Sequence, residues 1–154
     1  MKRPRIYADT SVFGGVFDNE FRAPSEEFFE EIRKGRFSLV TSAVVQAEID
    51  PAPQQVKDLF EEMLAVAELI DITEEAISLR DAYLETKIVS ANYSDDALHV
   101  ALATVSECSL IVSWNFRHIV HFEKIPLYNA VSTLHGYKGI AIFSPLEVIH
   151  YEED

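Results

Sequence analysis

Short apolar runs alternate with longer amphipathic segments along the chain. Five runs have the length and the flanking turn residues of buried strands, and they cover 5–8, 37–41, 67–72, 110–113 and 140–143. Because these runs alternate with helical segments instead of grouping together, the pattern predicts an α/β fold. The expected architecture is three-layer α/β/α, with a five-stranded parallel sheet and right-handed crossovers.

The segments between the runs carry apolar residues at helical spacing. The clearest predicted helix covers 24–35, which starts with Pro24 and acidic residues and ends with basic residues and Gly35. Ser42 is placed to cap the short helix that follows it. Residues 10–24 are expected to form a loop. Further helices are predicted over 43–49, 54–66 and 74–88, from about Ser94, and over 124–135.

Acidic side chains recur where the predicted strands end. Asp9 follows the first strand, Glu48 lies on the short helix after the second, and Asp96 lies in the first turn of the helix before the fourth strand. Asn115 stands just beyond the fourth strand. In an open α/β sheet, ligands bind beyond the carboxyl ends of the strands, so these groups are expected to share one pocket. Oxygen ligands of this kind suit a hard cation such as Mg²⁺ or Mn²⁺.

Three of these residues also have plain structural explanations. Asp9 is followed by threonine and serine, a combination that readily forms turns. Glu48 could face solvent, as most glutamates do. Asparagine is common in turns, so Asn115 alone indicates little, although its amide oxygen can bind Mg²⁺ directly or through water.

The helix from Ser94 has a similar ambiguity. Ser94 is a good N-cap, and the helix dipole favours Asp95 and Asp96 in the first turn by about 0.3–1 kcal/mol each. The rest of the helix is apolar over more than half its circumference, which predicts deep packing with its N-terminus near the ligand edge. His99 shares the remaining polar arc and could orient one of the aspartates, or it could simply lie on the helix surface.

Aromatic residues and histidines surround Asn115. Trp114 and Phe116 flank it and could stack on a base, although aromatic side chains beside a strand end more often belong to the core. His118 and His121 lack a third ligand at usable spacing, so no zinc site is predicted.

Composition limits the possible settings of the protein. The 154 residues suit a single domain over 1–154. Cys108 is the only cysteine, which excludes an internal disulfide and predicts a small core residue in a reducing, cytoplasmic setting. The basic N-terminus is followed by an apolar stretch far too short for a signal or membrane segment, so no membrane association is expected.

The formal net charge of -13 opposes long-range attraction to nucleic acid. Acids gathered in a pocket are an exception, because bound divalent cations would turn that pocket from repelling phosphate to attracting it. Composition therefore leaves a nucleic-acid enzyme open.

The acidic motifs resemble those of the PIN-domain ribonucleases, and more closely those of single-domain, VapC-type toxins of toxin-antitoxin modules. The resemblance is carried by 6–12, Glu48, 96–103 and 112–118, and it covers nearly the whole chain. It implies an endoribonuclease that uses one or two Mg²⁺ or Mn²⁺ ions to hydrolyse RNA phosphodiesters. It also implies a homodimer and an antitoxin partner whose tail blocks the toxin.

The resemblance implies roles for individual residues. Asp9, Glu48 and Asp96 are the expected catalytic residues. Asp9 and Asp96 would hold the metal, and Glu48 or Asp95 would orient or deprotonate the attacking water. Asn115 is an expected further ligand, with Asp95 contacting the metal through water. Many family members carry an aspartate where this chain has Asn115, and the lost charge weakens the attraction for a second cation.

Substrate binding is expected to use small polar and basic side chains. Thr10 and Ser11 would position the phosphate or brace Asp9, and Arg117 would contact the RNA strand. Other candidate bases are Lys2, Arg3, Arg5 and the run 33–36, which could equally be solubilising charges.

Other classes of protein fit the sequence less well. A response-regulator receiver needs paired acids after its first strand and a lysine after its fifth, and a haloacid-dehalogenase-like phosphatase needs an acid at position 11, which is Ser11 here. The remaining alternative is a PIN-like scaffold, dimeric and without catalytic activity, that binds nucleic acid or protein.

Overall fold

A five-stranded parallel sheet forms the centre of the protein. Its structure is a computed structural model that describes residues 3–149, so the candidate base Lys2 lies outside the described residues. The sheet order is β3-β2-β1-β4-β5, which confirms the predicted fold class. The strands are β1 (Arg5–Ala8), β2 (Ser38–Ser42), β3 (Glu68–Ile70), β4 (Leu110–Val112) and β5 (Ala141–Phe143).

Helices lie between the strands, as the alternating pattern predicts. The first four pack against one another and the last three form a second group, giving the three-layer arrangement. Two 3₁₀ turns, Ala91–Tyr93 and Pro145–Glu147, complete the described elements. The helices are α1 (Thr10–Gly15), α2 (Arg22–Arg33), α3 (Ala43–Ile49), α4 (Gln54–Leu64), α5 (Glu74–Glu85), α6 (Ser94–Val105) and α7 (Ile125–Leu134).

Strand position in the sheet explains strand burial. β1 is central, and its residues Ile6, Tyr7 and Ala8 are fully buried. β3 is an edge strand, is mostly exposed and is shorter than the predicted run 67–72. An edge strand pairs on one side only, so it keeps less regular structure than a central one.

The strand order reverses direction beside β1. β2 pairs with one side of β1 and β4 with the other, which makes the gap between β1 and β4 the topological switch point of the sheet. The ends of the two strands are tied together, since the backbone N–H of Asp9 donates to the carbonyl of Val112 at 3.2 Å. This gap is the expected ligand site of a parallel sheet.

Residues 10–24 were predicted to form a loop, but Thr10–Gly15 form helix α1. The prediction was therefore wrong for these residues. The six-residue helix includes Gly14 and Gly15 and has poor intrinsic propensity. Tertiary contacts stabilise it, because Val12 and Phe13 are fully buried. A side chain at Gly15 would bring its Cβ within 2.7 Å of the Trp114 indole nitrogen, so the close approach of this helix needs glycine.

Two helix starts differ from their predictions. α2 begins at Arg22 and not at Pro24, which therefore lies inside the first turn, where proline is tolerated. Its end matches, since Gly35 follows at a φ of +77°, a conformation that favours glycine. The prediction that Ser94 caps α6 was wrong, because a 3₁₀ turn runs directly into the helix and Ser94 is already helical.

One expectation from composition is confirmed within residues 3–149. Cys108 is buried, as predicted for a small core residue, and burial raises the pKa of its thiol to about 11. None of the described helices is both long enough and apolar enough to cross a membrane.

Candidate active site

Asp9 lies at the switch point, where groups from two strand ends hold its carboxylate. Its Oδ1 accepts hydrogen bonds from the Ser11 backbone N–H at 3.1 Å and from the Ser11 hydroxyl at 2.6 Å. Its Oδ2 accepts from the Ser113 hydroxyl at 2.6 Å. Asp9 is thus the N-cap of α1, which confirms its structural explanation, and its role as a pocket carboxylate stays a prediction.

Burial dominates the electrostatics of Asp9, whose exposed fraction is 4%. Loss of hydration raises the pKa of this carboxyl, and the negative charge of Glu48 adds to that effect. His99 and the two serine hydroxyls lower the pKa, but the net shift is upward. A buried carboxylate with a raised pKa is costly for the fold, which is typical of a functional site.

Glu48 lies in the last turn of α3, where its carboxylate Oε1 has two partners. It accepts from Nε2 of His99 at 2.5 Å and from the Thr10 hydroxyl at 3.2 Å. Thr10 therefore braces Glu48, and Ser11 is the residue that braces Asp9. Partial burial alone would raise the pKa of Glu48, but the hydrogen bonds and the His99 charge lower it overall. The side chain of Glu48 remains 35% exposed, so it reaches both the protein interior and the solvent.

His99 differs from its prediction. It does not lie on a helix surface, because α6 is buried all around its middle and His99 is only 2% exposed. Among residues 3–149 its hydrogen-bond partners are Tyr7 and Glu48, and no aspartate is one of them. Its Nδ1 shares a hydrogen bond of 2.7 Å with the Tyr7 hydroxyl. Burial alone would lower the pKa of His99, but the hydrogen bond to Glu48 and the charges of Asp9, Glu48 and Asp96 raise it overall.

Asp96 forms the second carboxylate-histidine pair of the site. Its Oδ2 accepts from Nδ1 of His118 at 2.9 Å, and its side chain is 25% exposed. The His118 ring packs on Tyr93 with centroids 3.9 Å apart, and the Arg117 guanidinium lies 5.6 Å from the Tyr93 ring centre. The neighbouring Asp95 is exposed and makes no hydrogen bond or ion pair within residues 3–149.

Asn115 has a structural partner for its amide oxygen. Oδ1 accepts from the backbone N–H of His118 at 2.9 Å, and the Asn115 backbone N–H donates to the Ser113 hydroxyl at 2.9 Å. The side chain therefore stabilises the turn after β4. Its role as a metal ligand stays a prediction.

The three acids are linked through neighbouring elements. Glu48 hydrogen-bonds to His99 and to Thr10, the residue after Asp9, and Asp96 lies one turn before His99 on α6. The charges of all three raise the pKa of His99. Within residues 3–149, however, no three His, Cys, Asp or Glu side chains are grouped closely enough to hold a metal ion.

An aromatic cluster borders the acidic groups. Trp114 is buried, stacks on Phe21 at 4.2 Å and donates through its indole N–H to the Ser25 hydroxyl, so it is a core residue. Phe116 remains exposed. A cavity of about 520 Å³ adjoins the cluster, and it is lined by Ser11, Gly14, Gly15, Asp18, Phe21, Trp114 and Asn115.

Most of the candidate bases are paired or lie elsewhere. Arg5 begins β1, at the opposite end from Asp9, and binds Glu68 at 3.0 Å. Arg33 and Arg36, in the run 33–36, form ion pairs with glutamates. Arg117 is the candidate base that lies next to the acidic groups, two residues beyond Asn115.

Three polar residues, Tyr7, Ser42 and Ser113, were not predicted from the sequence to support the acids of the site. Tyr7 and Ser42 share a buried hydrogen bond of 2.7 Å behind Glu48, and Ser113 holds Asp9. Ser42 was predicted as a helix cap, which its bond with the Val45 N–H confirms. Polar groups at the ends of buried strands were the available signal, since a buried hydroxyl needs a partner.

The His99–Glu48 pair makes stability depend on pH. The pKa of His99 is raised from 6.5, so its stabilising contribution is present below the unfolded value and lost as pH rises through the folded one. The pKa of Glu48 is lowered from 4.5, so its contribution is present above the unfolded value and lost as pH falls through the folded one.

We therefore expect the stability difference between wild type and His99→Gln to be largest between these two unfolded values, at about pH 5.5. Urea denaturation of the EDTA-treated proteins across a pH series measures it. A difference that stays constant from pH 4 to pH 9 would contradict the ion pair.

Comparison with known proteins gives a match in structure only. No protein-family model matches the sequence, and no curated protein matches it. VapBC from Salmonella typhimurium, solved bound to DNA, is 18% identical with a TM-score of 0.59, covering 92% of this chain and 98% of its own. A toxin-antitoxin complex from Klebsiella pneumoniae is 12% identical with a TM-score of 0.58, covering 77% and 93%.

A further similar structure is VapC20 from Mycobacterium tuberculosis, a toxin that cleaves the Sarcin-Ricin loop. It is 12% identical with a TM-score of 0.51, and the match covers 88% of this chain and 98% of that one. The three matches cover between 77% and 92% of this chain and between 93% and 98% of the other chains, so they show a shared fold. The chain therefore has the PIN-domain fold found in VapC-type toxins.

Proposed function

We propose that the protein is a metal-dependent endoribonuclease and the toxin of a type II toxin-antitoxin module. The observation that carries the proposal is that Asp9 lies at the switch point of this fold and is linked, through Thr10, Glu48 and His99, to the helix that carries Asp96. The cleavage activity of VapC20, which shares the fold, supports the same reaction class.

The donor chemistry of the site fits Mg²⁺ or Mn²⁺. Both ions prefer carboxylate oxygens, and Glu48 Oε2 and Asp96 Oδ1 have no hydrogen-bond partner among residues 3–149. Mg²⁺ is commonly held by one or two carboxylates, with water and substrate phosphate completing its shell, so it does not need a group of three acids. Asp9 and Asp96 are the proposed direct ligands, with Asn115 and Asp95 contributing through water.

A bound cation would supply a nucleophilic water at neutral pH and offset the charge of the phosphate. The residues of the chain do the remaining work. The lowered pKa of Glu48 keeps its carboxylate ionised, and in this state it is proposed to orient the attacking water and accept its proton. Ser11 and Ser113 fix Asp9. Arg117, beside Tyr93, is the proposed contact to the RNA backbone.

A cleft between α2 and α4 supports an antitoxin partner. Its volume is about 420 Å³, and it combines an apolar floor with acidic walls. Arg33, its one base, is paired with Glu30 and Glu62. A basic peptide with apolar anchors would complement this surface. The lining residues are Val16, Phe17, Glu26, Phe29, Glu30, Arg33, Asp58, Leu59 and Glu62.

Fluorescence anisotropy with a basic amphipathic peptide tests the antitoxin cleft. We expect saturable binding that Asp58→Lys weakens, because the substitution reverses the charge of one wall. Equal binding by wild type and variant would place the partner elsewhere.

The exposed side of α7 supports the proposed homodimer. Leu127, Ala130 and Leu134 follow one another at three- and four-residue spacing and are exposed, and Phe122 lies just before the helix. Such a stripe is suited to pairing with the same helix of a second copy. Light scattering measures the oligomeric state of both proteins, and we expect a dimeric wild type and a monomeric Leu134→Glu variant. A monomeric wild type would contradict the dimer.

Incubation with a mixed RNA pool tests the proposed function. We expect cleavage by the purified protein in Mg²⁺ or Mn²⁺ and none in EDTA. The non-catalytic scaffold is distinguished by a calorimetric Mn²⁺ titration, which shows saturable binding only if the metal site exists. No binding at millimolar Mn²⁺ would favour the scaffold.

Asp95 and Asp96 form a matched pair of test sites. Asp96→Asn should reduce metal-dependent cleavage by about 10²–10⁴-fold, because removing a metal ligand costs several kcal/mol of transition-state stabilisation. Asp95→Asn should retain most of the rate, since Asp95 is exposed and unpaired within the described chain. Initial rates on one RNA measure both, and a larger loss at Asp95 would reverse their assigned roles.

A further inference from the structure

A closed chain of hydrogen bonds runs through the interior behind Glu48. It starts at Glu48 Oε1, passes through both ring nitrogens of His99 to the Tyr7 hydroxyl, and continues to the Ser42 hydroxyl. The Ser42 hydroxyl accepts from the Val45 N–H at 3.3 Å and so caps α3, the helix that carries Glu48. The chain therefore begins and ends on the same helix.

The members of this chain come from four different elements. Tyr7 belongs to β1, Ser42 ends β2, and His99 lies in the middle of α6. Tyr7, Ser42 and His99 are all buried, so their hydrogen bonds do not compete with bulk water. These hydrogen bonds hold Glu48 and α3 against α6, β1 and β2.

The protonation pattern of the chain follows from the chemistry of its ends. A carboxylate only accepts, so Nε2 of His99 carries the hydrogen that points to Glu48. In the neutral ring Nδ1 accepts from the Tyr7 hydroxyl, and the Ser42 hydroxyl donates to Tyr7. In the protonated ring Nδ1 donates to the Tyr7 hydroxyl, which then donates to Ser42. The Nε2–H bond to Glu48 is the same in both states.

Glu48 has little else to hold it. Within residues 3–149, its only other hydrogen-bond partner is Thr10, at 3.2 Å and on the same oxygen. A glutamate has three side-chain torsions to fix, and a partly exposed one samples several rotamers. The bond to His99 restricts this freedom and leaves Oε2 without a hydrogen-bond partner among the same residues.

We propose that His99 is a positioning residue that, anchored by Tyr7 and Ser42, holds Glu48 in place for proton transfer. This inference rests on the proposed nuclease function, in which Glu48 accepts the proton of the attacking water. His99 itself does not touch substrate and acts only through Glu48.

Metal-dependent RNA cleavage by a set of variants tests the proposal. His99→Leu removes the donor, and we expect kcat to fall about 10–100-fold with little change in KM, as for other groups that orient a functional side chain. His99→Gln can still donate to Glu48 and should recover part of the rate. His135→Gln, at an exposed histidine, is the matched control and should equal wild type.

Coupling to Glu48 separates positioning from a general structural role. If His99 acts through Glu48, then His99→Leu should cause no further loss of kcat in a Glu48→Gln background. Multiplied losses in the double variant, or equal losses in His99→Gln and His99→Leu, would overturn the proposal. If circular dichroism shows that His99→Leu is unfolded, Tyr7→Phe takes its place in the same double-variant cycle. No further loss of kcat in the Glu48→Gln background supports the proposal, and multiplied losses overturn it.

A measurement without substrate separates failure of the proposal from failure of the proposed function. An inactive wild type would refute the nuclease and leave the geometry to be tested by ¹⁵N-histidine NMR of the metal-free protein. We expect a protected Nε2–H signal of His99 that shifts in Glu48→Gln. A His99 ring protonated on Nδ1 alone, or unaffected by Glu48→Gln, would overturn the placement of Glu48 by His99.

Discussion

Asp9→Asn should abolish RNA cleavage and at the same time make the metal-free protein more stable. The rate should fall by about 10²–10⁴-fold, because the variant loses a ligand that contributes several kcal/mol to the transition state. The melting temperature in EDTA should rise by about 2–4 °C, which corresponds to about 1 kcal/mol in a protein of this size.

The stability gain follows from the burial of Asp9. The folded protein keeps this carboxylate away from water, and its raised pKa shows that the charged form is disfavoured there. Asparagine has the same shape without the charge. Its Oδ1 can still accept from Ser11, and the Ser113 hydroxyl can rotate to accept from its amide.

Thermal melts with and without Mn²⁺ measure this expectation. Added Mn²⁺ should raise the melting temperature of wild type, since a ligand that binds only the folded state stabilises it, and should leave Asp9→Asn unchanged. Asp71→Asn, at an exposed aspartate, is the control for loss of one charge. A variant that melts below wild type in EDTA, or that still cleaves RNA, would show that Asp9 is a structural cap only.

Phe13→Ala should lower the free energy of unfolding by about 3–5 kcal/mol. Phe13 is fully buried on α1, with its ring centre 5.0 Å from that of Phe29 and 5.4 Å from that of Phe60. It therefore joins α1 to α2 and α4. Because α1 starts directly after Asp9, loosening this helix should also reduce cleavage.

Urea denaturation measures this loss, with Phe17→Ala as the control. Phe17 lies four residues later and is 37% exposed, so its removal should cost distinctly less. Similar losses at both positions would mean that the packing of Phe13 does not stabilise α1. In that case the helix would depend mainly on its cap at Asp9.

The expected results at Asp9 and Phe13 complement each other. One substitution removes a costly charge and should stabilise the protein while ending its activity. The other removes apolar packing and should weaken the fold and the site together. Burying a carboxylate destabilises the folded protein. If the carboxylate has a function, its replacement is expected to raise stability and remove activity.

Local patterns in the sequence were sufficient for the strands and most helices. β1 was predicted with its observed bounds, and the other strands and the later helices differ by a few residues at their ends. Apolar periodicity is a local property, so it can be read from one segment at a time. The same reasoning placed Asp9 and Asp96 beside strand or helix ends, where a parallel sheet binds ligands.

Helix α1 could not be read in this way. Its six residues contain two glycines, and local propensity disfavours a helix there. It forms because Asp9 caps it and because Phe13 fits between two other helices. The cap is a local contact, but the packing of Phe13 depends on helices that come later in the sequence.

The sequence by itself determined the layered α/β fold and the set of acids at the strand ends, because both follow from local periodicity and residue type. Only the tertiary structure decided which groups hold those acids. His99 is 51 residues from Glu48, and Ser113 is 104 residues from Asp9. These partners meet because β1 lies between β2 and β4, and the strand order results from the packing of the whole chain, which no single segment encodes.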